Sequence, residues 1–152
     1  MPHVFVILAI IAVALVFWNA IHWYEFMTTY RYHGEFLGKR HECSVRFANS
    51  ECGILCFVGA NESGLYLLSH PDRKGWWRYG GLGFKKNLEI PWRDLDYRGG
   101  RVLLKECMWF HIPTRKIHFY VPREIGDKLL IDGAREPHFQ WDAKANSQAP
   151  TR

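Results

Sequence analysis

Charge is missing from the start of this chain. All 20 Lys and Arg and all 15 Asp and Glu lie at or beyond Glu25, so no charged side chain before it opposes entry into hydrocarbon. Cysteine is scarce as well. Cys43, Cys52, Cys56 and Cys107 are too few in 152 residues for a dense disulfide framework, and they read as reduced, mostly buried thiols. Catalytic signatures are nearly absent. Gly34-Glu35-Phe36-Leu37-Gly38-Lys39-Arg40 has three residues between its glycines where a phosphate loop needs four, and Arg40 stands where Ser or Thr would hold magnesium. Gly80-Gly81-Leu82-Gly83 lacks the dinucleotide spacing. Neither a Gly-x-Ser-x-Gly elbow nor a His-Glu-x-x-His pair occurs. What is abundant is apolar and aromatic: 48% hydrophobic and 16% aromatic residues exclude a disordered chain.

The uncharged start is long enough to matter. Residues 4–24 would form a helix of about 31 Å, close to the hydrocarbon thickness of a bilayer. Asn19 and His22 fall near its end, where headgroups are in reach, and Trp18, Trp23 and Tyr24 supply an aromatic interface belt. A cleaved secretory signal fits less well, because a basic leading region is lacking and bulky residues occupy the places a signal peptidase needs small. The expectation is a retained single-pass anchor. Arg31, Lys39, Arg40 and Arg46 follow the span while only His3 and the α-amine precede it, which puts the N-terminus outside and the rest in the cytoplasm, at an inner or plasma membrane.

After a connector at 25–41, the chain reads as short strands between turn signals. Strands are expected near 44–48, 53–58, 65–69, 88–92, 102–110 and 116–121, with a hairpin turn at Arg98-Gly99-Gly100. Val102, Leu104, Met108, Phe110, Ile117, Phe119 and Val121 should face inward, and His118 outward. Pro122 suits the start of a helix, Ile125 and Leu129 lie four apart, and Gly133 can end it. The expected organisation is a span at 4–24, the connector, a β domain at 42–133 and a disordered tail at 134–152. The fold class is α+β, mainly β: a transmembrane helix, then a bent antiparallel sheet or open barrel closed by one C-terminal helix.

Three segments carry a family likeness. The order Gly64-Leu65-Tyr66-Leu67-Leu68, Leu88-Glu89-Ile90-Pro91-Trp92-Arg93-Asp94-Leu95 and Ile117-His118-Phe119-Tyr120-Val121-Pro122 resembles bacterial pleckstrin-homology-like and GRAM-like domains. The likeness covers roughly residues 44–131 and implies a non-catalytic recognition fold. The insertion at 72–86 departs from it.

That insertion, Asp72-Arg73-Lys74-Gly75-Trp76-Trp77-Arg78-Tyr79-Gly80-Gly81-Leu82-Gly83-Phe84-Lys85-Lys86, has five basic residues to one acid, interleaved with rings. Indoles prefer the headgroup level, and each cation near an anionic surface adds about 1 kcal/mol. Arg73, Lys74, Trp76, Trp77, Arg78, Lys85 and Lys86 are the expected contact residues for lipid or a membrane partner; capping of the barrel by Trp76, Trp77 and Phe84 is the competing reading. Cys52 with Cys56 and Cys107 with His111 share strand faces, yet residues four apart on a straight strand lie about 13 Å apart, too far to share one ion. Asp94 and Asp96 sit among Arg93 and Arg98 as solvated ion pairs. No metal, cofactor or catalytic residue is expected. The expected function is a non-enzymatic, membrane-anchored recognition or scaffolding module. Its partners would be the bilayer with anionic headgroups or another membrane protein, not nucleic acid; an accessory subunit held by its helix is the alternative.

Overall fold

The leading apolar residues form one uninterrupted helix, α1 (Pro2–Thr29), in the computed structural model, which describes residues 2–47, 53–69, 87–102 and 104–135. Every described side chain from Val4 to Trp18 is exposed, so this surface finds no cover among the described residues. The helix is long and apolar enough to cross a membrane. It extends through Glu25 to Thr29, beyond the apolar run itself.

Among the described residues seven strands follow: β1 (His41–Phe47), β2 (Ile54–Ala60), β3 (Gly64–Leu68), β4 (Leu88–Pro91), β5 (Asp96–Val102), β6 (Lys105–Ile112) and β7 (Ile117–Pro122). They make one curled antiparallel half-barrel in the order β4-β3-β2-β1-β7-β6-β5. Period-two alternation sets the register: Val45, Phe47, Val58, Met108, Phe110, Phe119 and Val121 turn into one core, while Arg46 and His118 face out. α2 (Arg123–Asp132) begins directly after Pro122 and lays Leu129 and Leu130, both fully buried, into the concave side. Gly126 permits this close approach, because a Cβ there would stand 2.4 Å from Met108 Cβ. The helix ends at Gly133, whose N–H donates to Leu129 O at 2.9 Å.

The turn between β5 and β6 differs from the sequence expectation. Arg98, Gly99 and Gly100 lie inside β5, paired with Trp109, Met108 and Cys107. The hairpin closes instead beyond the Val102–Lys105 pair, where Leu104 takes φ 68° and is 95% exposed rather than inward. Gly100 serves contact rather than turning. A Cβ there would stand 2.7 Å from Trp109 Nε1, so the bare backbone is what lets the indole lie across the strand.

A second, smaller cluster forms on the outer side of β2 and β3. Phe36, from the segment after α1, packs on Tyr66 at 4.4 Å between ring centroids, with Tyr32 on the same ring at 5.1 Å. The Tyr66 hydroxyl donates to Glu89 Oε1 at 2.7 Å, and Ser63 Oγ donates to the same oxygen at 2.9 Å. Burial raises the Tyr66 pKa, so the phenol stays a neutral donor.

Candidate membrane-proximal interface

The last two turns of α1 belong to the head. Trp23, Phe26, Met27 and Tyr30 recur at helical spacing and turn one face into the core. Phe26 is fully buried, with ring centroids 5.5 Å from Trp23, 5.7 Å from Tyr30 and 6.3 Å from Phe47. The opposite side of the same turns is polar and pinned from below. Arg115, in the 3₁₀ turn Pro113–Arg115 between β6 and β7, donates to Glu25 Oε2 and to Thr29 Oγ1, each at 2.8 Å. The Tyr30 hydroxyl donates to Asp94 Oδ2 at 3.3 Å, and burial holds its pKa above the usual value.

The chain leaving the helix is then stitched to the sheet. Glu89 N–H donates to Tyr30 O and Tyr32 N–H to Asn87 O, both at 2.8 Å, while Arg31 bridges Leu88. This covers the outer edge of β4. It also fixes the base of the basic, aromatic segment. Ser69 and Asn87 are its described stems, joined where the Ser69 N–H donates to Asn87 Oδ1 at 3.0 Å. Both stems therefore sit beside Tyr32, three residues past the end of α1. Arg73, Lys74, Trp76, Trp77, Arg78, Lys85 and Lys86 themselves lie outside the described residues.

Of the three expected belt residues, Trp18 and Tyr24 are exposed, at 67% and 69%. Trp23 is half-buried and stacks edge-on against Phe47 at 4.9 Å, so it joins the span to the core. Asp94 and Asp96 diverge. Asp94 meets Tyr30 and Arg93, whereas Asp96 lies 3.9 Å from His111.

The described cysteines, Cys43, Cys56 and Cys107, are packing groups. Cys43 and Cys56 face one another across β1 and β2 and are buried; desolvation raises both thiols, Cys43 to about 12. Cys107 is pushed up to about 11 by the same cause, with Sγ 3.6 Å from Gly100 O. Cys52 lies outside the described residues. Among the described residues no three His, Cys, Asp or Glu side chains converge as a metal site.

A feature the sequence did not reveal lies on the outside of β5, β6, β7 and β1. Register places Arg98, Trp109, Tyr120 and Arg46 in one row across four strands. Trp109 and Tyr120 lie 5.0 Å apart, and His111 and His118 in the next row stack at 4.2 Å, 6° from parallel. Partial burial lowers the His118 pKa first, and the neighbouring His111 and Arg98 lower it further. No protein-family model, curated protein or solved structure matches this chain.

Proposed function

We propose that this chain is a membrane-anchored, non-catalytic recognition module. α1 is a retained span with its N-terminus outside, and the half-barrel is held against the cytoplasmic face of an inner or plasma membrane. One observation carries this reading: Asn87, one stem of the basic, aromatic segment, accepts from Tyr32 N–H where the chain leaves the helix, and the other stem, Ser69, donates to Asn87. A segment rooted there meets the headgroup zone at high effective concentration, so weak affinity suffices. The curled antiparallel sheet with its C-terminal helix is compatible with the pleckstrin-homology-like resemblance of 44–131. The contact residues in this reading are Arg73, Lys74, Trp76, Trp77, Arg78, Lys85 and Lys86.

The test is hydrogen exchange on the full-length protein in nanodiscs. Protection of 70–86 that requires anionic lipid, weakens with salt and is lost in Trp76→Ala/Trp77→Ala supports headgroup binding. Equal exchange in anionic and zwitterionic discs removes the lipid partner and leaves a membrane protein, held through the loop or through α1.

A further inference from the structure

The convex surface of the half-barrel has two halves, and they are treated differently. Over β2 and β3, Tyr32 and Phe36 cover the outward rings of Tyr66 and Phe57. Over β5, β6, β7 and β1 no described residue lies on the sheet, because α2 packs on the concave side through Leu129, Leu130 and Gly126. What this open face presents is specific. Arg98 and Arg46 are exposed, stand at the two ends of one cross-strand row and ion-pair with no described residue. Between them Trp109 and Tyr120 form a half-buried aromatic floor, set low over Gly100.

We propose that this face is a binding site for an extended acidic peptide segment of a protein partner. It rests on the recognition reading above but uses a surface separate from the 70–86 loop. The chemistry favours peptide over lipid. Bilayer insertion needs apolar side chains that protrude, and here both rings lie half-buried along a flat sheet. Trp, Tyr and Arg are the residue types that dominate binding energy at protein interfaces, and guanidiniums take carboxylates in bidentate fashion. Spacing adds a constraint. Three inter-strand steps separate Arg98 from Arg46, about 14 Å at ~4.8 Å per step. An extended peptide rises about 3.3 Å per residue, so carboxylates four residues apart reach both arginines while the residues between them cross the rings. His111 and His118 flank the row, and Asp96 opposite His111 is the one acid the next row contributes.

The experiment uses full-length protein labelled with 5-fluorotryptophan in zwitterionic nanodiscs, read by fluorine NMR with each resonance assigned by a Trp→Phe variant. The probes are the end-capped peptide Glu-Ser-Pro-Thr-Glu and its Gln-Ser-Pro-Thr-Gln counterpart. The expected result is a saturable shift of the Trp109 resonance with the Glu peptide alone, at least tenfold weaker in Arg46→Ala/Arg98→Ala. The Trp92 resonance, from the core, stays in place and reports that the double variant is folded. Three results would overturn the proposal: an unmoved Trp109 at millimolar peptide, an equal response to the Gln peptide, or a shift that survives loss of both arginines. Movement of Trp109 on adding phosphatidylglycerol to the disc, with no response to peptide, would assign the face to lipid and equally overturn it. Trp76 and Trp77 report the loop in the same spectra, so failure at this face is distinguishable from failure of the recognition reading.

Discussion

Phe26 lies on the apolar leading helix by sequence and in the core of the head by position, so Phe26→Ala asks whether the two are one folding unit. The side chain is fully buried and packs with Trp23, Tyr30 and Phe47. Burying a phenylalanine removes on the order of 200 Å² from water, about 5 kcal/mol at ~25 cal/mol per Å², an upper bound because unfolded chains already bury part of their surface. Measured Phe→Ala losses in cores run about 3–5 kcal/mol. Small domains have only about 5–15 kcal/mol in hand, so Phe26→Ala should remove a large share of the head's stability. The assay is urea unfolding of full-length protein in micelles, followed through the amide exchange of β1 and β7. Leu15→Ala is the control, since Leu15 is 64% exposed on the apolar run and is not part of the described core. A loss near 3 kcal/mol for Phe26→Ala against almost none for Leu15→Ala is expected. Two variants within about 1 kcal/mol of each other would refute the reasoning, and a head that begins at residue 30 would then be a sound fragment.

Other expectations follow from single residues. Leu104→Gly should stabilise the protein by up to about 1 kcal/mol, because Leu104 is 95% exposed at φ 68°, where a side chain brings strain and almost no burial; thermal unfolding reads it. His118 should titrate below the ordinary imidazole range by NMR, and His111→Ala should bring it back upward. The folded pKa being the lower one, the unfolded chain binds more protons in the window just below the ordinary value, so this residue's contribution to stability falls as pH drops through that window. Cys107, with its thiol near 11, should alkylate about two hundredfold more slowly at pH 8 than a free cysteine on thiolate fraction alone, and unfolding should abolish the difference.

Much of the fold was legible because alternation survives translation into structure. Residues such as Phe110, Phe119 and Val121 were readable as inward from period two alone, and the turn from Pro122 into a helix from proline's fixed φ. The hairpin was misplaced because Gly99-Gly100 carries the composition of a turn, whereas both lie within β5 and Gly100 leaves room for Trp109. The depth of α1 in the core was encoded in the spacing of Trp23, Phe26, Met27 and Tyr30. That stripe was hidden by Glu25, Thr28 and Thr29, polar residues that make the same turns read as a connector. The row from Arg98 to Arg46 had no sequence signal at all. Its members lie on four strands, and only register brings them together.

The retained span is tested most directly by washing cell membranes in alkaline carbonate and identifying the N-terminal peptides of the chain that remains in the pellet. The expected result is intact protein in the membrane fraction with peptides from within residues 4–24 still attached to the head. Recovery of the chain in the supernatant, or a mature N-terminus beyond Trp23, would contradict it.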